Sequence, residues 1–204
     1  MNITNEILEP DSFYHIYNRG INSCKIFESE ENYLFFLKKF SKYINNVADV
    51  YAYCLMPNHF HFLVKIKSES EIKSFVKVQN FDKASKGKGL HSPDSVISKQ
   101  MGKFISSYTQ AYNKMTNRHG ALMESPFKRK RIDSEEYLRN LIVYIHLNPL
   151  DLGINFEQYK FSSYKTVLSE AKTNLKRQET ISIFEDIENL IYCHKNPPKL
   201  EFEF

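Results

Sequence analysis

Apolar residues recur at helical spacing in three stretches of the chain. Between Glu30 and Asn45 they are Tyr33, Leu34, Leu37, Phe40, Tyr43 and Ile44, and between Ser95 and Met115 they are Val96, Met101, Phe104, Ile105, Tyr108, Tyr112 and Met115. In Asp133 to Asn148 they are Leu138, Leu141, Ile142 and Ile145. Each stretch predicts a helix with one buried stripe. Phe13 to Asn18 reads as a strand ended by a turn at Arg19-Gly20. Tyr51 to Lys67 is aromatic and aliphatic, broken only at Met56-Pro57-Asn58, which predicts two strands meeting at a tight turn. Lys83 to Pro93, KASKGKGLHSP, has the composition of a mobile loop, and Ala121 to Ile132 predicts an extended pair or an edge strand.

The second of the paired strands opens with HFHFLVKI. Side chains alternate along a strand, so His59, His61, Leu63 and Lys65 share one face, and Phe60, Phe62, Val64 and Ile66 share the other. Two imidazoles at i and i+2 lie about 7 Å apart along the strand, close enough to converge on one ion. Two half-exposed strand histidines with ordinary hydrogen bonds would give the same spelling.

The helix predicted from Asp133 to Asn148 begins with Ser134 as N-cap and Glu135 and Glu136 at its positive end, and Pro149 marks its end. Tyr144 and Asn148 are i and i+4, about 40° apart around the axis and about 6 Å along it, so phenol and amide share a face. A phenol, with a pKa near 10, is easier to ionise than an alkyl hydroxyl and leaves more readily, which suits phosphoryl transfer. An amide oxygen is a fair ligand for a hard cation. A packed tyrosine and a helix-terminal asparagine are the alternative.

The runs FYHIYNRG (13–20), YAYCLMPNHFHFLV (51–64), FKRKRIDSEEYLRNLIVYIHLNPLDLG (127–153) and YKFSSY (159–164) resemble, in order and from about Ser12 to Thr166, the REP-associated branch of the single-tyrosine HUH transposases. The resemblance implies His59 and His61 as metal ligands, Tyr144 as the nucleophile and Asn148 as a third ligand. Insertion-sequence members of the superfamily usually carry Gln at that last position, whereas this chain has Asn, as the REP-associated branch does. It further implies Mg²⁺ or Mn²⁺, a single-stranded or hairpin DNA partner, and cleavage and rejoining through a 5′-phosphotyrosine with a free 3′-OH. Monomer and homodimer both remain open. Lys65, on the histidine face, is a candidate proton acceptor or phosphate contact.

Charge sharpens this picture. The 204 residues carry 28 basic and 24 acidic side chains, a net of +4, yet from Lys83 to Arg131 there are 11 Lys/Arg against Asp94 and Glu124, a net of +9, whereas Glu170 to Phe204 has a net of −2. The asymmetry points to a polyanion-facing middle, and Lys128, Arg129, Lys130 and Arg131 are the densest candidates for DNA contacts. Such a block is also compatible with a merely solvated face. Cys24, Cys54 and Cys193 are widely separated without CxxC spacing, which suggests reduced thiols. No stretch approaches a membrane span, and the polar N-terminal residues lack a signal-like apolar run, so a cytoplasmic protein, nucleoid-associated when bound to DNA, is expected. His15, His91, His119, His146 and His194 lack a metal-spaced partner and read as structural or solvated.

The strand-helix-strand-strand-helix-strand order predicts an α+β, ferredoxin-like antiparallel sheet, with the HUH strands central, helices on one face, and metal and DNA on the other. Residues 1–168 would form the catalytic domain and 169–204 a C-terminal extension, with a short helix near Ile183 to His194 and a loose end at PPKLEFEF. Two other classes of function remain: a non-catalytic DNA-hairpin-binding protein, which would need neither histidine pair nor tyrosine, and a metal-dependent nuclease using water, which would leave no covalent adduct.

Overall fold

The computed structural model describes residues 6–78 and 93–198. Four strands form one antiparallel sheet: β1 (Phe13–Arg19), β2 (Ala48–Met56), β3 (His59–Ile66) and β4 (Lys128–Ile132), in the order β2-β3-β1-β4. The helices are α1 (Glu30–Ile44), α2 (Glu69–Val78), α3 (Pro93–Thr116), α4 (Glu135–Leu147), α5 (Tyr164–Leu168), α6 (Arg177–Ser182) and α7 (Ile187–Lys195). The α+β class and the ferredoxin-like order hold, but of the two HUH strands only β3 is central, β2 being an edge strand. Among the described helices α2, α5 and α6 go beyond the sequence expectation, and the segment from Lys83 to Pro93, with His91, lies outside the described residues up to Pro93, where α3 begins. The PPKLEFEF end lies outside them from residue 199.

Strand alternation divides the sheet into two unlike faces. Tyr14, Ile16, Phe60, Phe62 and Val64 point to one side, where α1 and α3 cover them with Phe36, Phe40 and Phe104. Phe40 stacks on Phe62 with centroids 3.8 Å apart, and Phe36 meets Phe60 and Phe104 at 5.1 and 4.8 Å. Each fully buried side chain of this size stabilises the fold by roughly 1.5–3 kcal/mol. Leu34 and Met115, expected inside, are 53% and 55% exposed. Leu34 follows Tyr33, whose ring fills the inward position by stacking on Phe161.

The expectation of helices on one face holds for α1 and α3 and fails for α4. Ala52, Cys54 and Leu63 on the opposite face form a second core with Leu141, Ile142 and Ile145 of α4, joined by Phe184 and Leu190 of the C-terminal segment. The periodicity of α4 shows a buried stripe without saying which sheet face receives it. Ser134 caps the helix as predicted, its hydroxyl accepting from the Tyr137 amide at 3.1 Å. Beyond Asn148 the chain continues as a 3-10 turn, Asn148–Leu152, with Pro149 in its first positions. The outer edge of β2 is closed by later chain: Leu55 N–H donates to Phe161 O, Ser163 N–H to Tyr53 O and Lys176 N–H to Val50 O.

α7 is anchored by a buried polar chain. His194 donates through Nδ1 to Leu190 O at 2.7 Å, its Nε2 meets Nδ1 of His146 at 2.8 Å, and Nε2 of His146 meets the Ser163 hydroxyl at 2.7 Å. Burial, the largest cause in both, holds His146 well below the usual imidazole range and His194 at about 4. Imidazoles of the unfolded chain take up protons near pH 6.5, and these two do not until far lower. The stability they contribute is therefore complete above about pH 6.5 and is lost as pH falls through the window down to the folded values. Near pH 5 each imidazole kept neutral should cost about 2 kcal/mol relative to neutral pH. Urea midpoints measured near pH 7.5 and pH 5 check this, and equal midpoints would contradict it.

Candidate active site

The β1 register assembles the site from three strands. Tyr17 lies opposite His61 on β3 and opposite Lys128 on β4, and Arg19 lies opposite His59. Residues in register share a face, so Lys128, Tyr17 and His61 form one row across the sheet, with Arg19 and His59 beside it. The rings of His59 and His61 are perpendicular with centroids 5.1 Å apart, and Tyr17 stacks against His61 at 5.8 Å.

Each histidine has one nitrogen engaged by a neighbour. Nδ1 of His59 lies 2.7 Å from Oδ1 of Asn58, so it donates there and Nε2 carries the lone pair. Nδ1 of His61 lies 2.8 Å from Nε2 of His15, which is fully buried. A partner on the second nitrogen is what fixes the ring and tautomer of a ligating histidine. Desolvation lowers all three pKa values: His15 falls to about 3, His61 well below its usual value with His15 and His59 adding to the effect, and His59 is lowered against a raising bond to Asn148 and the charge of Asp151. All three rings are therefore neutral at physiological pH.

The α4 helix brings the other two residues. Tyr144 is half-buried, its ring edge-on to His61 with centroids 5.6 Å apart. Asn148, 3% exposed, donates its amide to Tyr144 O at 2.9 Å, which turns Oδ1 to within 3.4 Å of Nε2 of His59. Burial pushes the Tyr144 phenol up to about 12, the Asn148 side chain opposing it and the Asp151 charge adding to it. His146 on the same helix faces away, into the α7 anchor.

Among the described residues no group of three or more His, Cys, Asp or Glu side chains is placed to hold a metal. The donor set is instead two imidazoles and an amide oxygen. Two donors each about 2.1 Å from one ion stand about 3.0 Å apart at a right angle and about 3.4 Å at a tetrahedral one. The 3.4 Å between His59 and Asn148, two acceptors facing each other, fits that spacing. The residues present thus suit a divalent cation.

His59, His61 and Tyr144 line one cleft of about 310 Å³, with Tyr17, Asn18, Arg19, Ser23, Asn58 and Lys128 beside them. The basic block is split by alternation. Lys128 and Lys130 lie on the histidine face, Lys130 over the Tyr137 ring at 4.9 Å. Arg129 and Arg131 lie on the other face and are tied to the N-terminal segment, Arg129 to Glu6 O and Arg131 to Glu9. Lys65 shares the histidine face but sits four residues from His61, about 13 Å along the strand, with its ammonium over Phe13. It is not brought to Tyr144. His15, Tyr17, Arg19, Asn58 and Asp151 were missed in the sequence. The signal for the first three was present, since His15, Tyr17 and Arg19 are spaced by two, like His59 and His61.

No protein-family model matches the chain, and no curated protein matches it in sequence. Among solved structures it is similar to a REP-associated tyrosine transposase bound to a REP hairpin, with a TM-score of 0.55 and 12% identity over 83% of this chain and 87% of that one. A bacterial tRNA(His) guanylyltransferase-like protein in complex with GTP aligns with a TM-score of 0.39 and 10% identity, over 76% of this chain and 69% of that one, too low to carry an argument. No described helix is long and apolar enough to cross a membrane. At 12% identity the first similarity concerns architecture: this chain has the fold of a REP-associated tyrosine transposase.

Proposed function

We propose that this chain cleaves and rejoins single-stranded DNA, at hairpin sequences like the one its structural neighbour binds, through a covalent bond to Tyr144. The observation that carries the reading is the convergence of a phenol, two neutral imidazoles and a lysine in one cleft, with the Asn148 amide oxygen 3.4 Å from His59. His59, His61 and Asn148 would hold Mg²⁺ or Mn²⁺, the metal-facing nitrogen of each histidine being Nε2. A bound cation there would withdraw charge from the scissile phosphate oxygens.

The chain's own residues supply the rest. The Tyr144 oxygen attacks phosphorus as the bond to the 3′ oxygen breaks, giving a 5′-phosphotyrosine and a free 3′-OH that takes the proton. One phosphodiester replaces another, so the 3′-OH of a second strand reverses the step without ATP. Asn148 orients the phenol, His15 and Asn58 hold the two histidines in their tautomers, and Lys128 places positive charge on the wall of the cleft.

Incubating the protein with a labelled hairpin library and Mn²⁺ should give a denaturation-resistant adduct that a chelator prevents. Cleaved DNA without an adduct would favour a water-using nuclease, and binding without cleavage a hairpin-binding protein. Residues 1–168 and the extension 169–204, which packs on the second core through Phe184 and Leu190, are proposed to act as one catalytic unit.

A further inference from the structure

Arg19 and Lys128 stand on the wall of the cleft, and one carboxylate joins them. Arg19 Nε lies 2.6 Å from Oε1 of Glu124, and Lys128 Nζ lies 3.4 Å from Oε2, so each oxygen takes one cation. Glu124 is placed by its backbone: its N–H donates to Arg19 O at 2.9 Å and its carbonyl accepts from Asn18 Nδ2 at 2.8 Å. The preceding residues are stitched to the same strand end, with Ile21 N–H donating to Leu122 O and Met123 bridging Gly20. The carboxylate is thus presented by the main chain and is not needed to place the loop.

A carboxylate bridging two cations has the form of the two non-bridging oxygens of a phosphodiester, with one negative charge shared between two acceptors. We propose that Arg19 and Lys128 form a second phosphodiester-binding site beside the reacting groups, and that Glu124 occupies it as an internal competitor which the DNA backbone displaces. The proposal rests on the reading of the protein as a single-strand DNA enzyme, and it names how that site meets a phosphate next to the scissile one. The Arg19 side chain is 55% exposed, so its pair with Glu124 is a weak surface interaction that a phosphodiester can exchange at small cost. Without the carboxylate, two bare cations would take any phosphate. With it, a strand must offer a phosphate in register with both.

The test measures binding of an oligothymidine strand to the full chain across a salt series, with no cleavage required. Glu124→Gln should bind roughly three- to tenfold more tightly at low salt. Its log affinity should fall with log salt at about the wild-type slope, because the same phosphate is neutralised once Glu124 is displaced. Adding Arg19→Gln and Lys128→Gln to Glu124→Gln should remove the gain. Glu157→Gln, which neutralises a carboxylate outside the cleft paired with Lys195, should show a much smaller gain. Unchanged or weaker binding by a folded Glu124→Gln overturns the proposal, as does a gain equal to that of Glu157→Gln or one that survives loss of both cations. Because the assay reads binding alone, absence of covalent adducts from the wild type would sink the enzymatic reading while leaving the Glu124 result interpretable.

Discussion

Replacing Tyr144 with Phe is expected to abolish covalent attachment to DNA while leaving the fold and strand affinity nearly unchanged. The substitution removes one oxygen from a half-buried ring, and the edge-on contact with His61 needs only the ring. The Asn148 amide keeps its bond to the Tyr144 carbonyl and loses only its contact with the phenol. Stability should therefore move by no more than about 1 kcal/mol. Loss of an attacking atom has a far larger effect, of at least about 10⁴-fold in rate. With the phenol raised to about 12, the resting wild type holds Tyr144 protonated and must lose that proton for the oxygen to attack, so cleavage should quicken as pH rises through the neutral range. Adduct formed at undiminished yield by Tyr144→Phe would remove this tyrosine from the chemistry.

Much of this arrangement is legible in local pattern, and what escapes is tertiary. The period of two in HFHFLVKI places His59 and His61 on one face, and the register shows them there. Ser134 and the i, i+4 spacing of Tyr144 and Asn148 are likewise written in one helix. Local pattern does not say which face of the sheet α4 covers, and that choice brings Asn148 to His59. The KRKR block shows a different failure. Net charge treats its four residues as equivalent, but a strand sends them alternately to opposite faces, so Lys128 enters the cleft while Arg129 and Arg131 bind the N-terminal segment. His15 was read as structural because it lacks a neighbour in sequence. Its partner, His61, is 46 residues away and becomes adjacent only when β1 pairs with β3.

Pairing of His15 with His61 sets the ranking expected of the histidine variants. His59→Ala and His61→Ala should each lose Mn²⁺ binding by at least about 100-fold, read by titration calorimetry, and lose cleavage with it, because the ion is left with too few anchors. His61→Ala should also cost about 1–3 kcal/mol of stability, since it strips a buried hydrogen bond from His15, whereas the less buried His59 should cost less. His15→Phe keeps both ligands and most of the packed volume, and removes only the nitrogen that orients His61. It should weaken Mn²⁺ binding by about 10–100-fold, less than loss of either ligand. Equal Mn²⁺ affinity in His15→Phe and wild type would make His15 a packing residue only. Cleavage by the wild type that survives exhaustive chelation would mean that the two imidazoles and the Asn148 oxygen hold no catalytic ion.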